Sequence, residues 1–339
     1  MIAVGQGAPR PEGRGNVATA SEGRAFPASG ELERRGGGSL GRWVHAVTHF
    51  LRTKPLGTIG AVLILIIIVL AIFAPQFAPY GFDHRVLKDK LLTPSLKHPM
   101  GTDLLGRDVL SRIIYGARVS AFVGFGSVLI STVAATTIGT VSGYYGGRVD
   151  TIIQRLVDIW IAFPALILLL AIVAAFGTPT SIAHYGPLSL DPAQQRAGQI
   201  IIALGLLLVA PASRVIRGAA LAVRNNLYVE GARTVGASDF RILTAYILPN
   251  VMPTIIVYAT LQLGFAILAE ATLAFLSFGI PDPVPSWGLM LSGLARARIR
   301  QDPWLAFWPG LAISLAVFGF NMLGDALRDV LDPRLRGAR

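Results

Sequence analysis

The stretch YVEGARTVGASDFRILTAYILPN, Tyr228 to Asn250, is a polar, arginine-bearing island between two hydrophobic runs. Its local pattern predicts two short helices that meet at a corner. Glu230 to Val235 carries good helix formers and a small-residue face at Gly231 and Ala232. Gly236 follows, where a helix C-terminus favours a residue free to take positive φ. Ser238 or Asp239 is a natural N-cap for the second helix. There Phe240, Leu243 and Ile247 recur at helical spacing, beside Ile242 and Tyr246. Pro249 is expected to end that helix, because a proline pushes its predecessor out of the α region. Taken alone, the pattern describes a surface amphipathic hairpin.

The sequence around the island is mostly apolar. Hydrophobic residues make up 53% of the 339 and charged residues 14%, against roughly 25% charge in a soluble domain. That balance implies a polytopic membrane protein. The absence of cysteine excludes a disulfide framework, thiol catalysis and cysteine metal sites. The net charge of +11 is scattered among apolar runs, which suits cytoplasmic loops against anionic lipid and not nucleic acid.

Six spans are expected: Gly57 to Ala74, Val119 to Val141, Ile159 to Gly177, Ile200 to about Ala212, about Ile255 to Phe278, and Trp304 to Leu323. The fold class is therefore all-α and polytopic. The first run just crosses a core of about 30 Å at about 1.5 Å per residue. The second is dotted with Gly, Ser, Thr and Ala, which let helices approach closely inside a bundle. Pro164 and Pro211 should bend spans three and four, and Arg214 and Arg217 should snorkel if span four continues. With both termini inside, inner segments hold nineteen of the thirty Lys and Arg. Residues 80–117 and 281–302 then face outward.

The island's spacing narrows the reading. Glu230 and Ala232, then Gly236, then Leu248-Pro249 resembles the "EAA" loop of bacterial ABC-importer permeases, where Glu-Ala-Ala is followed by three residues, Gly, nine residues and Ile-x-Leu-Pro. Gly231 replaces the second residue of that pattern and Tyr246 its Ile, and both keep the geometry. In the family this loop is a cytoplasmic coupling helix that docks on the ATP-hydrolysing subunit. The resemblance assigns that role to Glu230, Gly231, Ala232, Gly236, Ser238, Asp239, Leu248 and Pro249.

Further motifs appear in order: HPMGTDLLGRDVLSRIIYGARVS at 98–120, PSWGLML at 285–291, WLAFWPGLAI at 304–313 and GDALRDVLDPRLR at 324–336. Together they resemble the C-type permease of dipeptide, oligopeptide and nickel importers, over residues 50 to 337. The resemblance implies six helices of the type I ABC importer kind and a B-type permease as heterodimer partner. It also implies two ATPase subunits and an external binding protein, with no cofactor of the chain's own and ATP held by its partners. Domains follow: a disordered tail at 1–40, an interfacial helix at 41–56, the first span with its outer segment at 57–118, a permease core at 119–328 and a C-terminal tail at 329–339. Peptides are the expected cargo, with nickel or small sugars behind.

GTDLLGRD has glycines at a phosphate-loop interval, Gly101 and Gly106, but Arg107-Asp108 replaces the required Lys and Ser/Thr. ATP hydrolysis by that motif is excluded. His45, His49, His84, His98 and His184 lie outside the spans and no GxSxG occurs, so an intramembrane enzyme has no motif to rest on. A self-sufficient secondary transporter or channel would need several charges near midplane. Asp158, Gln262 and Glu270 are the candidate polar residues of the path. Each has an alternative: an Arg155–Asp158 pair at i,i+3, and a hydrogen-bonded helix contact for Glu270 with Gln262 two turns away. Asn321 and Asp325 are expected to cap the end of span six.

Overall fold

The computed structural model describes residues 53–185, 188–298 and 300–331. The expected tail, most of the interfacial helix and the last residues lie outside these. The first span is helix α1 (Pro55–Ile72), started by a proline at its first turn, where no amide donor is needed. A short helix, α2 (Ala74–Phe77), ends it. The second, α3 (Val109–Tyr145), runs 37 residues, or roughly 55 Å at 1.5 Å per residue, so it projects beyond the bilayer. Its buried face is rich in small residues, Gly116, Ser120, Gly124, Ser127, Ser131, Ala135, Gly139 and Gly143 among them. They allow the most extensive helix contact of the bundle, against α6.

The third span is not one rod. Helices α4 (Gly147–Ala162) and α5 (Ala165–Ala175) meet at 90°. Pro164 holds Phe163 in extended geometry, φ −78° and ψ 135°. The expected bend is thus a corner, and Ile159 to Gly177 does not cross as a straight helix. Beyond it a hairpin pairs β1 (Ala183–Tyr185) antiparallel with β2 (Leu188–Leu190). Helix α6 (Pro192–Arg224) opens on a capping box at Asp191 and Gln194 and continues through Pro211. Arg214 and Arg217 do not snorkel to lipid. They pair with Asp158 and Asp150 of α4, so the expected Arg155–Asp158 pair gives way to a contact between helices.

The second half of the island opens a helix from Asp239 to Phe275, described below. The short helices α10 (Trp287–Met290) and α11 (Gly293–Arg298) follow, in the segment expected to face outward. Helix α12 (Trp304–Leu331) runs past the expected end of span six. Asn321 and Asp325 therefore lie within a helix and cap nothing. Among the described residues five helices are long and apolar enough to cross a membrane, and six spans result only if the bent pair α4–α5 counts as one.

Three apolar clusters hold the bundle. One joins α1, α3 and α12 with the Asp239–Phe275 helix and the buried Trp287. A second lies between α3, α5 and α6. The third sits at the end of the bundle that carries the island, where Ala135, Tyr144, Ile216 and Ala220 receive Val229, Ile242, Ile247, Val251 and Ile255. The island is seated on that cluster.

Candidate functional site

Helix α6 ends at Arg224 and the chain turns through Asn225 and Asn226 into α7 (Leu227–Thr234). Val229 alone of α7 is fully buried and pins it to the bundle. At the far end Gly236 N–H donates to Arg233 O at 2.9 Å, and Ala237 N–H to Ala232 O at 3.0 Å. This six-to-one, five-to-two pair is a Schellman stop, and it requires Gly236 at φ +82°. The expectation for Gly236 holds, and the carbonyl of Ala232 is part of the same device. Ser238 then caps α8 (Asp239–Arg241), its hydroxyl accepting from Arg241 N–H at 3.4 Å. Asp239 is not the cap; its carboxylate accepts from the Tyr144 hydroxyl at 2.6 Å.

Pro249 does not end the second helix. Residues Ile242–Ile247 widen into a π turn, in which Leu248 N–H reaches Leu243 O five residues back, and α9 (Leu248–Phe275) carries on. The wider turn makes room where a proline ring would strike the carbonyl four residues earlier, and proline's missing donor is absorbed there. The turn also resets the buried face. Ile242 and Ile247 point inward five apart, then Val251 and Ile255 at four. The expected stripe is corrected accordingly: Phe240 is 76% exposed, and Leu243 and Tyr246 are half-buried.

The corner that results is outside the bundle and partly apolar on its outer side. Val235 is 89% exposed and Leu227 84%. Gly231 and Gly236 have nothing within 4 Å of a would-be Cβ. Glu230 is exposed in the first turn of α7, where its charge favours the helix N-terminus, and among the described residues its carboxylate has no partner. Glu230, Gly231, Ala232, Gly236, Ser238 and Asp239 therefore form one contiguous corner. Leu248 and Pro249 lie beyond the π turn, at the start of α9.

Residues 135–337 match the family described as "binding-protein-dependent transport system inner membrane component", and residues 42–94 match the "N-terminal TM domain of oligopeptide transport permease C". The chain is 39% identical over 286 residues to a dipeptide transport system permease protein, DppC, of Alkalihalophilus pseudofirmus, covering 84% of this chain and 88% of that protein. It is 37% identical over 310 residues to the oligopeptide transport system permease protein OppC of Bacillus subtilis, covering 91% and 95%. A glutathione transport system permease protein, GsiD, of Pectobacterium atrosepticum is 36% identical over 295 residues, covering 87% and 92%. The chain belongs to the binding-protein-dependent transport permeases. It is thus a multi-pass inner-membrane permease subunit of an ABC transport system and not an enzyme, and nothing favours the self-sufficient transporter.

The permease does not bring its three candidate path residues together. Gln262 Nε2 donates to Leu208 O at 3.1 Å and its Oε1 accepts from Ser131 at 3.4 Å. Glu270 is fully buried and accepts from Ser120 at 3.1 Å. Both side chains make contacts between α9 and its neighbours within this chain, while the second Glu270 oxygen, Oε1, is buried without a partner among the described residues. Asp158 lies apart, on α4.

At the end of the bundle away from the corner, GTDLLGRD folds around its own carboxylate. Asp103 accepts from Leu105 N–H at 2.8 Å and Arg107 N–H at 2.9 Å, taking the place a phosphate would need. Arg107 reaches across to Asp282 at 2.9 Å. Asp108 caps α3 through Ser111 and meets the buried His98 at 2.9 Å. The residues that sequence reasoning missed are Tyr144 and Arg233, whose guanidinium lies 5.1 Å from the Tyr144 ring centre. A tyrosine pair at the end of an apolar run was the available signal.

Proposed function

We propose that this permease imports peptides and takes its energy from two separate ATPase subunits docked on the Leu227–Arg241 corner. The observation that carries the reading is that corner: a glycine-stopped helix seated by Val229 on the bundle, presenting exposed Leu227, Val235 and Phe240 with a Glu230 that has no partner among the described residues. Exposed apolar groups ringed by polar ones mark a docking surface. The permease then stands beside a B-type permease as heterodimer, in lipid, with a binding protein outside and both termini inside. ATP is held by the partners and no cofactor by this chain. Peptide cargo is supported by the dipeptide and oligopeptide relatives.

The test has two arms. A cysteine at Lys90 should react with an impermeant thiol reagent in intact cells and one at Ser238 should not. Reconstituted with its partners, the permease should support ATP-driven peptide uptake; alone it should neither hydrolyse ATP nor take up peptide. Reversed labelling, or uptake by the lone chain on an ion gradient, overturns the reading.

A further inference from the structure

A cavity of about 560 Å³ opens between α6, α9 and α12 at the end of the bundle that carries the corner. Its volume lies within the range of about 300–1,000 Å³ typical of small-molecule sites. One wall is a row on α9, Asn250, Thr254 and Tyr258, four residues apart and therefore on one face. Val257 and Leu261 add apolar surface, and Arg328 comes from α12.

Asn250 Nδ2 already donates to Tyr246 O at 2.6 Å, but two features set Thr254, Tyr258 and Arg328 apart. Thr244, Thr260 and Thr272 of the same continuous helix each turn the hydroxyl back onto the carbonyl four residues earlier. Among the described residues, Thr254 and Tyr258 make no hydrogen bond with their hydroxyls, and both line the cavity. Arg328 likewise meets no carboxylate among the described residues. Asp329 is held by Lys54 at 2.6 Å, and Asp325 is exposed without pairing; Asp332 lies outside the described residues.

We propose that this cavity is the inner station of the transport path, where Arg328 takes the C-terminal carboxylate of a peptide and the Asn250–Thr254–Tyr258 row meets its backbone. The proposal rests on the peptide-permease reading above. A guanidinium fits a carboxylate in a two-pronged contact. The row extends about 12 Å along the helix at 1.5 Å per residue, and a peptide backbone offers donors and acceptors along such a length. A lipid acyl chain would leave those hydroxyls unmatched, at a cost. Because α9 continues through the π turn into α8, cargo on this row touches the same helix that carries the docking corner.

The experiment compares trialanine with its C-terminal amide in proteoliposomes holding the full importer and its binding protein. The ratio of variant to wild-type uptake, taken for each peptide, cancels any preference of the binding protein. Arg328→Gln should lower trialanine uptake on the order of tenfold, the scale of one charge-assisted hydrogen bond, and leave the amide within about twofold. Arg328→Lys should restore most of the loss. Thr254→Val should lower uptake of both peptides alike. An equal fall for both peptides in Arg328→Gln, or no fall in either, overturns the assignment, as does an equal fall accompanied by loss of a co-purifying anionic phospholipid. Failure of the wild-type importer to take up either peptide removes the peptide reading itself; unchanged ratios in an active importer remove the Arg328 assignment alone.

Discussion

The Tyr144 hydroxyl donates to the carboxylate of Asp239 at 2.6 Å, across 95 positions of sequence. It ties the C-terminal end of α3 to the first residue of the helix that leaves the corner. Arg233 lies over the same ring, so one side chain touches both halves of the corner. The corner is therefore braced against the longest contact of the bundle.

Tyr144→Phe keeps the ring, and with it the packing in the third apolar cluster, and removes the hydroxyl. A hydrogen bond to a charged group contributes about 1.5–3 kcal/mol, and here its loss falls on a local brace. Insertion and thermal unfolding in detergent should change little. Hydrogen exchange across residues 236–243 should accelerate, and uptake per ATP hydrolysed should fall. Unchanged exchange there would show that Asp239 is held by something else.

Gly236 meets no neighbour where a Cβ would stand, so the cost of a side chain is backbone strain. Gly236→Leu at φ +82° should cost about 1 kcal/mol or more locally and open the Schellman stop. The chain should still insert, while ATPase co-purification weakens or hydrolysis runs without uptake. Glu230→Ala should act in the same direction more weakly, since it distorts no backbone. Arg24→Leu is the control. Normal transport in Gly236→Leu would falsify the coupling role.

Much of this was legible in the sequence because it is local. The positive φ at Gly236 and the cap at Ser238 follow from nearest neighbours, whereas α1 begins at Pro55 and not at the expected Gly57. Small residues along α3 announced a close partner. What was not legible depends on distant partners or on the widening of a helix. Pro249 reads as a stop, and nothing local says that a π turn will absorb it. The exposed face of Phe240 follows from that turn. Asp158 finds Arg214 and not Arg155 because the 90° corner at Pro164 lays α4 beside α6, and the angle of a proline bend is set by packing.

Helices α1 and α12 cross at Gly60. A Cβ there would lie 2.7 Å from Gly319 O and 2.9 Å from Leu323 N, both main-chain atoms that cannot step aside. Gly60→Val should force the helices apart at about 1–3 kcal/mol and lower the melting temperature of the detergent-solubilised permease by several degrees. Ile66→Val, at a residue 49% exposed in this chain, should leave it unchanged. Equal melting of the two variants would mean that α1 does not dock at this contact.

The segment between α2 and α3 carries a charge device that can be read by pH. Lys97 Nζ lies 2.6 Å from Asp89 Oδ2, and that hydrogen bond, with His98 nearby, holds the Asp89 carboxyl below its ordinary range. The Asp89 carbonyl in turn accepts from Thr102, so the pair braces the turn that leads to the Asp108 cap. A depressed carboxyl contributes stability fully above its unfolded pKa of about 3.9 and loses it as pH falls through the lower folded value. Protection from hydrogen exchange at residues 87–92, corrected for the intrinsic rate, should therefore be level near neutrality and decline below about pH 4. Lys97→Gln removes the main cause of the shift, so the acid-dependent decline should shrink and the neutral-pH protection start lower. Lys97 is exposed while Asp89 is half-buried, so salt screens part of the pair's contribution, and high ionic strength should reproduce part of the Lys97→Gln profile in the wild type. An identical decline in both proteins would assign the acid response to another carboxylate of the segment.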